Sequence, residues 1–432
     1  MWLKNIAKKI VGKKLVSIYH FHLARLAALV YGFPSRKLIV VGVTGTNGKS
    51  TTANLLAKIL EEAGNKVAVT STINFKIGEK DKLNDQKMTM PGRFFLQRFL
   101  RQAVQAGCQY AIIETSSEGV AQHRHIGIHY DALVFTNLTP EHLEAHGGFE
   151  NYKAAKLTLF EYLEKLPYKM LNGQQVEKVI VANADDPYFP EFVNFKVDRI
   201  VSFGKNSSAQ VQGSNLTIEP KGISFEVDNL SFRLQLKGQF DFYNALVAIA
   251  AAEAFGVGLD TCKKALEKIP NVPGRMEVIQ SQPFTIVVDY AYEPEEMRQV
   301  YETISRWKPD RVIQVLGPSG GGRDKARISI LGEMAGKFAA VVFITTDDPY
   351  DDDPAVIGRQ MFEGASKSGK QANMNLFLEL DRREAIALAL KRAQPGDLVL
   401  ITGKGSDQKM AVKGGYVPWD DRQVVREQLA KL

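Results

Sequence analysis

The stretch VGVTGTNGKSTTANLLAKIL, residues 41–60, constrains this chain more than any other. KLIVVGVTG is a β-branched run that ends in glycine, so it reads as a buried strand followed by a loop. KSTTANLLAKILEEAG then sets apolar residues at helical spacing, with Gly64 as the stop. A strand, a glycine-rich turn and a helix opening on Lys49-Ser50 make a phosphate loop. Glycines let backbone N–H groups face phosphate oxygens, and the helix N-terminus adds partial positive charge. The nucleotide contacts expected here are Gly45, Thr46, Asn47, Gly48, Lys49, Ser50 and Thr51. Lys49 reaches the β- and γ-phosphates, and the Ser50 hydroxyl suits Mg²⁺. ATP and Mg²⁺ are therefore the expected cofactors. The common spacing asks for glycine at position 43, where this chain has Val43.

A chain of 432 residues is too long for one core. KVAVTST, YAIIET and ALVFTNL read as further strands, and FFLQRFLRQAVQAG as a helix. Strands alternating with helices imply a mainly parallel sheet. IVSFG, NLTIEP, GISFEV and FRLQLKG, within 200–240, read as an antiparallel patch on its edge. YNALVAIAAAEAFG is strongly helical, and NVPGRMEVI carries the punctuation of a domain junction. FTIVVDYA, RVIQVLGPSGGG, AAVVFITTDD and DLVLITGKG then repeat the strand-and-loop unit. The expected fold is α/β: a helical segment over 1–36, a P-loop-type ATP-binding domain over 37–271 and a Rossmann-like α/β domain over 272–432.

Hydrophobic residues make up 45% and charged residues 24%, an ordinary globular balance. The two cysteines, Cys108 and Cys262, argue against a disulfide framework or a cysteine-built zinc site, and a reducing cytoplasm fits. The net charge of +7 suits anionic ligands, while no nucleic-acid module is visible. Five lysines fall in the first fourteen residues. The run LVSIYHFHLARLAALVYGF that follows is apolar but broken by His20, His22 and Arg25, short of a clean membrane span. One or two amphipathic helices packed on the body are expected. Stable membrane insertion is not, and at most a weak contact with an anionic membrane surface is.

Other residues carry chemistry by position. Glu114 ends a buried strand, where a carboxylate needs a partner; a divalent metal, a cap or a salt bridge would serve. Asn137 stands at a strand end and His142 follows a loop proline. Either a ligand role or a structural one fits His142, and the chain alone gives Lys156 no role.

TGTNGKSTT, ETSSEG-AQHR, TNLTPEHLEAHG, YKAAK, YNALVAIAAA, VPGRME, DYAYEP and GKGSDQ occur in an order that resembles the Mur ligase family, and within it the tripeptide synthetases of peptidoglycan synthesis. The resemblance runs from about residue 38 to 432. It implies an ATP-dependent, ADP-forming ligase, monomeric, acting on a nucleotide-linked peptide and an amino acid. The acceptor carboxylate takes the γ-phosphate and the resulting acyl phosphate is attacked by the amine. Lys49 would stabilise the transferred phosphoryl group. Ser50 and Glu114 would bind one Mg²⁺ and His142 a second, and Lys156 matches a lysine that the family carbamylates. Asn137 would sit near the phosphates, with Asn244, Arg275 and Asp289 along the nucleotide. Thr89, Ser116, Gln122 and Arg124 would hold the acceptor; Arg323, Asp347, Asp348, Tyr350, Gly403 and Asp407 would hold the amino acid.

Some features depart from that pattern. The phosphate loop begins near residue 44, leaving room only for a helical segment where the family has a nucleotide-binding domain. Either the UDP part is held differently or the acceptor is not UDP-linked. An amidating subunit of lipid II and a folylpolyglutamate-like ligase are the alternative members. Met90, Glu118 and Tyr292 replace a threonine and two histidines. DDPY ends in Tyr350, where diaminopimelate enzymes have an arginine fork for a distal carboxylate. With Asp347, Asp348, Asp351, Asp352 and Asp353 nearby, a cationic amino acid such as lysine or ornithine fits better.

Overall fold

The computed structural model of the chain describes residues 13–141, 143–321 and 326–432. His142 and Arg323 lie outside the described residues.

The strand that feeds the phosphate loop, Ile39–Thr44, sits near the middle of an eleven-stranded sheet. Seven strands run parallel in the order Val211–Glu219, Arg199–Gly204, Val179–Asn183, Ala132–Phe135, Ile39–Thr44, Tyr110–Glu114 and Val67–Thr70. Antiparallel strands finish both edges: Gly222–Val227 and Leu230–Leu234 on one, Asn74–Ile77 and Lys80–Leu83 on the other. The expected antiparallel patch is thus narrower than its sequence reading. IVSFG belongs to the parallel part, because the chain crosses back through the short helix Phe189–Phe192 before pairing with Val179–Asn183.

Alternation sorts the central strand to two cores. Val41 and Val43 pack with helices Lys49–Glu62 and Gln239–Ala254, and Val40 with helices Arg93–Gln105 and Phe149–Lys165. A buried pair pins its start: Asp131 Oδ2 accepts from Val40 N at 2.7 Å and from Lys169 Nζ at 2.5 Å.

The second sheet has six strands, in the order Glu277–Gln280, Thr285–Asp289, Leu398–Thr402, Val312–Leu316, Val341–Ile344 and Leu376–Leu378. Only its first pair is antiparallel. The helix Lys13–Val30 lies against Arg93–Gln105. Among the described residues, no helix is long and apolar enough to cross a membrane.

Candidate active site

Register builds the site. Val43 pairs with Glu114 and Thr44 with Phe135, so the ends of three parallel strands meet at the phosphate loop. Open α/β sheets bind ligands at this carboxyl edge. Val43 is fully buried inside the strand, and the turn falls to Gly45, with φ of 147°. A Cβ at Gly45 would meet Thr136 Oγ1 at 1.9 Å, and one at Gly48, with φ of 82°, would meet Asn244 Oδ1 at 2.2 Å. Only glycine fits either place.

The loop is stapled from the side. Asn47 N donates to Asn137 Oδ1 at 2.8 Å, Thr46 N to Asn137 O at 2.8 Å, and Thr136 Oγ1 to Asn47 O at 2.7 Å. These amides are committed to the protein. The opening N–H groups of the helix Lys49–Glu62 have no acceptor within it and are the donors that a phosphate at this loop would meet. Asn137 serves first as scaffold.

Behind the loop, Lys156 is fully enclosed. Its Nζ donates to Gly45 O at 2.6 Å and stands 4.5 Å from the Tyr152 ring centroid. Burial, then the charge of Lys49, hold its ammonium well below the usual lysine range. Lys49 Nζ folds back onto Thr46 O at 2.5 Å. Beside them Glu141, which sequence reasoning passed over, has its carboxyl pushed up by burial.

Glu114 is 2% exposed and collects donors. Ser50 Oγ lies 2.8 Å away, Thr72 N 2.6 Å and Thr72 Oγ1 3.1 Å. Thr72 Oγ1 also reaches Thr89 Oγ1 at 2.9 Å, linking this carboxylate to Thr89. A hydroxyl and one carboxylate beside a phosphate loop suit a hard divalent cation that keeps phosphate oxygens as ligands.

The two sheets face each other across a cleft of about 1130 Å³. Residues 45–51, Thr89, Glu114, Ser116, Arg124, Asn137, Lys156, Asn244, Arg275, Asp289, Asp347, Asp348, Gly403 and Asp407 all line it. Gln122 and Tyr350 do not. Gln122 Oε1 is turned to Arg124 at 2.7 Å, and the Tyr350 ring packs on Gly321. Ser116 caps a short helix through Gly119 N at 3.1 Å. The Met90 side chain is buried against Gly119, and its carbonyl accepts from Arg124. Arg275 stacks over Tyr290 at 4.3 Å. Asp289 accepts from Met276 N at 2.6 Å and Ala291 N at 2.7 Å, so its carboxylate ties its own loop to the residue just before the strand Glu277–Gln280.

The acidic corner is not what its sequence suggests. Asp352 accepts from Gly321 N at 2.7 Å, and Asp353 caps the helix Pro354–Ser366 through Ala355 N at 2.8 Å. Asp348 and Asp407 are already neutralised. The fully buried Lys404 Nζ lies 2.9 Å from Asp348 and 3.3 Å from Asp407. Lys87, from a loop beside the first sheet, contacts Asp348 and stands 3.2 Å from Asp407. Burial opposes ionisation of Asp348, but Lys404 and Lys87 draw its carboxyl down to about 2. Burial and the charge of Asp348 push Asp347 up. Both lysines were legible as letters, in GKGSDQ and just before MTMPG, but nothing local said what they face.

The Mur ligase middle domain matches residues 43–252, and the Mur ligase glutamate ligase domain matches residues 274–405. Over 420 residues the chain is 38% identical to UDP-N-acetylmuramyl-tripeptide synthetase of Roseiflexus sp. (strain RS-1), covering 95% of this chain and 82% of that protein. This chain belongs to the Mur ligase family. The Mur ligase of Halalkalibacterium halodurans named UDP-N-acetylmuramoyl-L-alanyl-D-glutamate--2,6-diaminopimelate ligase is 36% identical over 410 residues, covering 94% of this chain and 81% of that one. A solved structure bearing the same enzyme name aligns with a TM-score of 0.62 at 29% identity, over 91% of this chain and 79% of the other. As a Mur ligase, the protein is an ATP-dependent, ADP-forming acid–amino-acid ligase with a mixed α/β fold.

Proposed function

We propose that this Mur ligase joins an amino acid with a cationic side chain, such as lysine, to the terminal carboxylate of a muramoyl peptide during peptidoglycan precursor synthesis. The observation that carries the choice of amino acid is the place Lys87 occupies. A primary ammonium on an alkyl stem already fits against Asp348 and Asp407, and no arginine fork stands at Tyr350 for a distal carboxylate.

When bound, MgATP supplies the phosphoryl group that turns the acceptor carboxylate into an acyl phosphate, with ADP leaving. The amine of the amino acid then forms the amide, losing a proton as inorganic phosphate departs. The chain's residues do the rest. Lys49 neutralises charge on the transferred group, a term of several kcal/mol in such sites. Ser50 and Glu114 would hold the metal, with His142 a candidate for a second. Asn137, Asn244 and Gly48 keep the loop in shape for the phosphates, and Arg275 stacks beside the nucleotide. Thr89, Ser116 and Arg124 face the acceptor. Lys156 would carry CO₂ as a carbamate, which needs the neutral amine that its burial favours.

Phosphate release tests this reading. UDP-muramoyl-dipeptide with ATP and Mg²⁺ is screened against the common amino acids and diamines. Turnover with lysine or ornithine above all others is expected. Preference for diaminopimelate would overturn the amino-acid assignment, and turnover only with non-muramoyl acceptors would overturn the pathway.

A further inference from the structure

The outward face of the helix Lys13–Val30 takes no part in this chemistry. Its inward face packs, with Ala24, Ala27 and Ala28 fully buried. Leu15, Ile18, Tyr19, Leu26, Leu29 and Val30 point the other way, from 49% exposed at Leu26 to 64% at Leu29. At about 3.6 residues per turn these six share an arc of about 120°. Scattered apolar residues on a surface are ordinary, but a stripe along one helix face marks a contact.

The charge around the stripe is of one sign. Residues 13–37 carry Lys13, Lys14, Arg25, Arg36 and Lys37 and no acid, in a chain with 48 acidic residues. The neighbouring helix Arg93–Gln105 adds Arg93, Arg98 and Arg101, again without an acid. Two copies joined face to face through the stripe would bring these cations together, so self-association is disfavoured. An apolar layer beneath an anionic surface satisfies both features.

We propose that the helix Lys13–Val30 is an interfacial dock that lies in the headgroup plane of a membrane rich in anionic lipid, stripe inward. The dock is coupled to the cleft. Ser17 Oγ lies 2.6 Å from His123 Nε2, and Phe21 meets the His123 ring edge-on with centroids 6.0 Å apart. His123 is the immediate neighbour of Arg124, which lines the cleft. Docking therefore holds the Arg124 loop at the lipid surface. This inference does not depend on which amino acid is added.

The full-length protein is sedimented with vesicles of equal parts phosphatidylglycerol and phosphatidylcholine, and with phosphatidylcholine alone. Binding to the first only, reversed by high salt, is expected. Leu26→Ser combined with Leu29→Ser, both facing outward, should lower partitioning about tenfold or more. Arg25→Glu should lower it too, with the stripe intact. Unchanged thermal melting and unchanged phosphate release with soluble substrates show that both variants are folded. Absence of binding to the anionic vesicles overturns the proposal, as does equal binding by the double variant. A concentration-dependent dimer lost in the double variant, without vesicle binding, would assign the face to a second copy instead.

Discussion

The ammonium of Lys87 closes on the carboxylate of Asp348, joining a loop beside the first sheet to the carboxyl edge of the second. Both side chains are almost wholly enclosed, and Lys87 adopts φ of 50°, a left-handed conformation that costs a residue with a Cβ free energy. The surrounding contacts hold it there. Both residues line the cleft between the two sheets.

Lys87→Ala leaves Asp348 and Asp407 with Lys404 alone. A cationic amino acid then meets no competitor at that place. Its KM is expected to fall about tenfold, about 1.4 kcal/mol, while the KM for a neutral amino acid stays put. Steady-state phosphate release with lysine and with alanine checks this. Equal shifts for the two would show that Lys87 acts on domain closure and not on the amino acid.

Glu114→Gln replaces an acceptor of three hydrogen bonds with an amide that carries two donors of its own. The buried hydroxyl of Ser50 and the half-buried one of Thr72 lose a charged partner, at a cost of about 1–3 kcal/mol in stability. The Mg²⁺ concentration for half-maximal activity should rise about 10–100-fold. Titration of activity with Mg²⁺, beside a melting curve, separates the two effects.

Lys156 is enclosed and biased toward its neutral form, the form that can attack CO₂. Carbon-13 bicarbonate should produce a carbamate resonance in the wild-type protein that is missing from Lys156→Ala. Activity of that variant should fall steeply at unchanged nucleotide affinity. A wild-type spectrum with no such signal would leave Lys156 as a scaffold for Gly45 alone.

His125 is buried edge-on against Tyr162, with ring centroids 5.0 Å apart. Burial, then the charge of His123, push it down from 6.5 to about 3. Between those values the unfolded chain binds a proton that the folded chain refuses. Stability is therefore lost as pH falls through this window, by up to about 1.4 kcal/mol per pH unit. His125→Phe keeps the ring packing and removes the titration. Urea unfolding across that window should show a shallower loss of stability for the variant, and a parallel loss would count against His125 as the cause.

Sequence alone determined whatever depends on near neighbours. Lys49 and Ser50 open a helix because a strand, two glycines and an apolar period surround them. Gly64 ends that helix, with φ of 86°. The alternation of strands and helices sets a parallel sheet, and eight short motifs in order name the family. None of this needs to know where distant residues go. Tertiary structure decided the rest. Ser50 meets Glu114 because Val43 pairs with Glu114 across two strands. The strand Arg199–Gly204 runs parallel to its neighbours because of the path the chain takes to reach it. Lys87 finds Asp348 across 261 residues of chain, and that contact, with Lys404, turns an apparently open acidic corner into a neutralised one. Local propensity comes from contacts within a turn or two of the backbone. Pairings such as these exist only once sheet register and packing, summed over the whole chain, have brought remote side chains within reach.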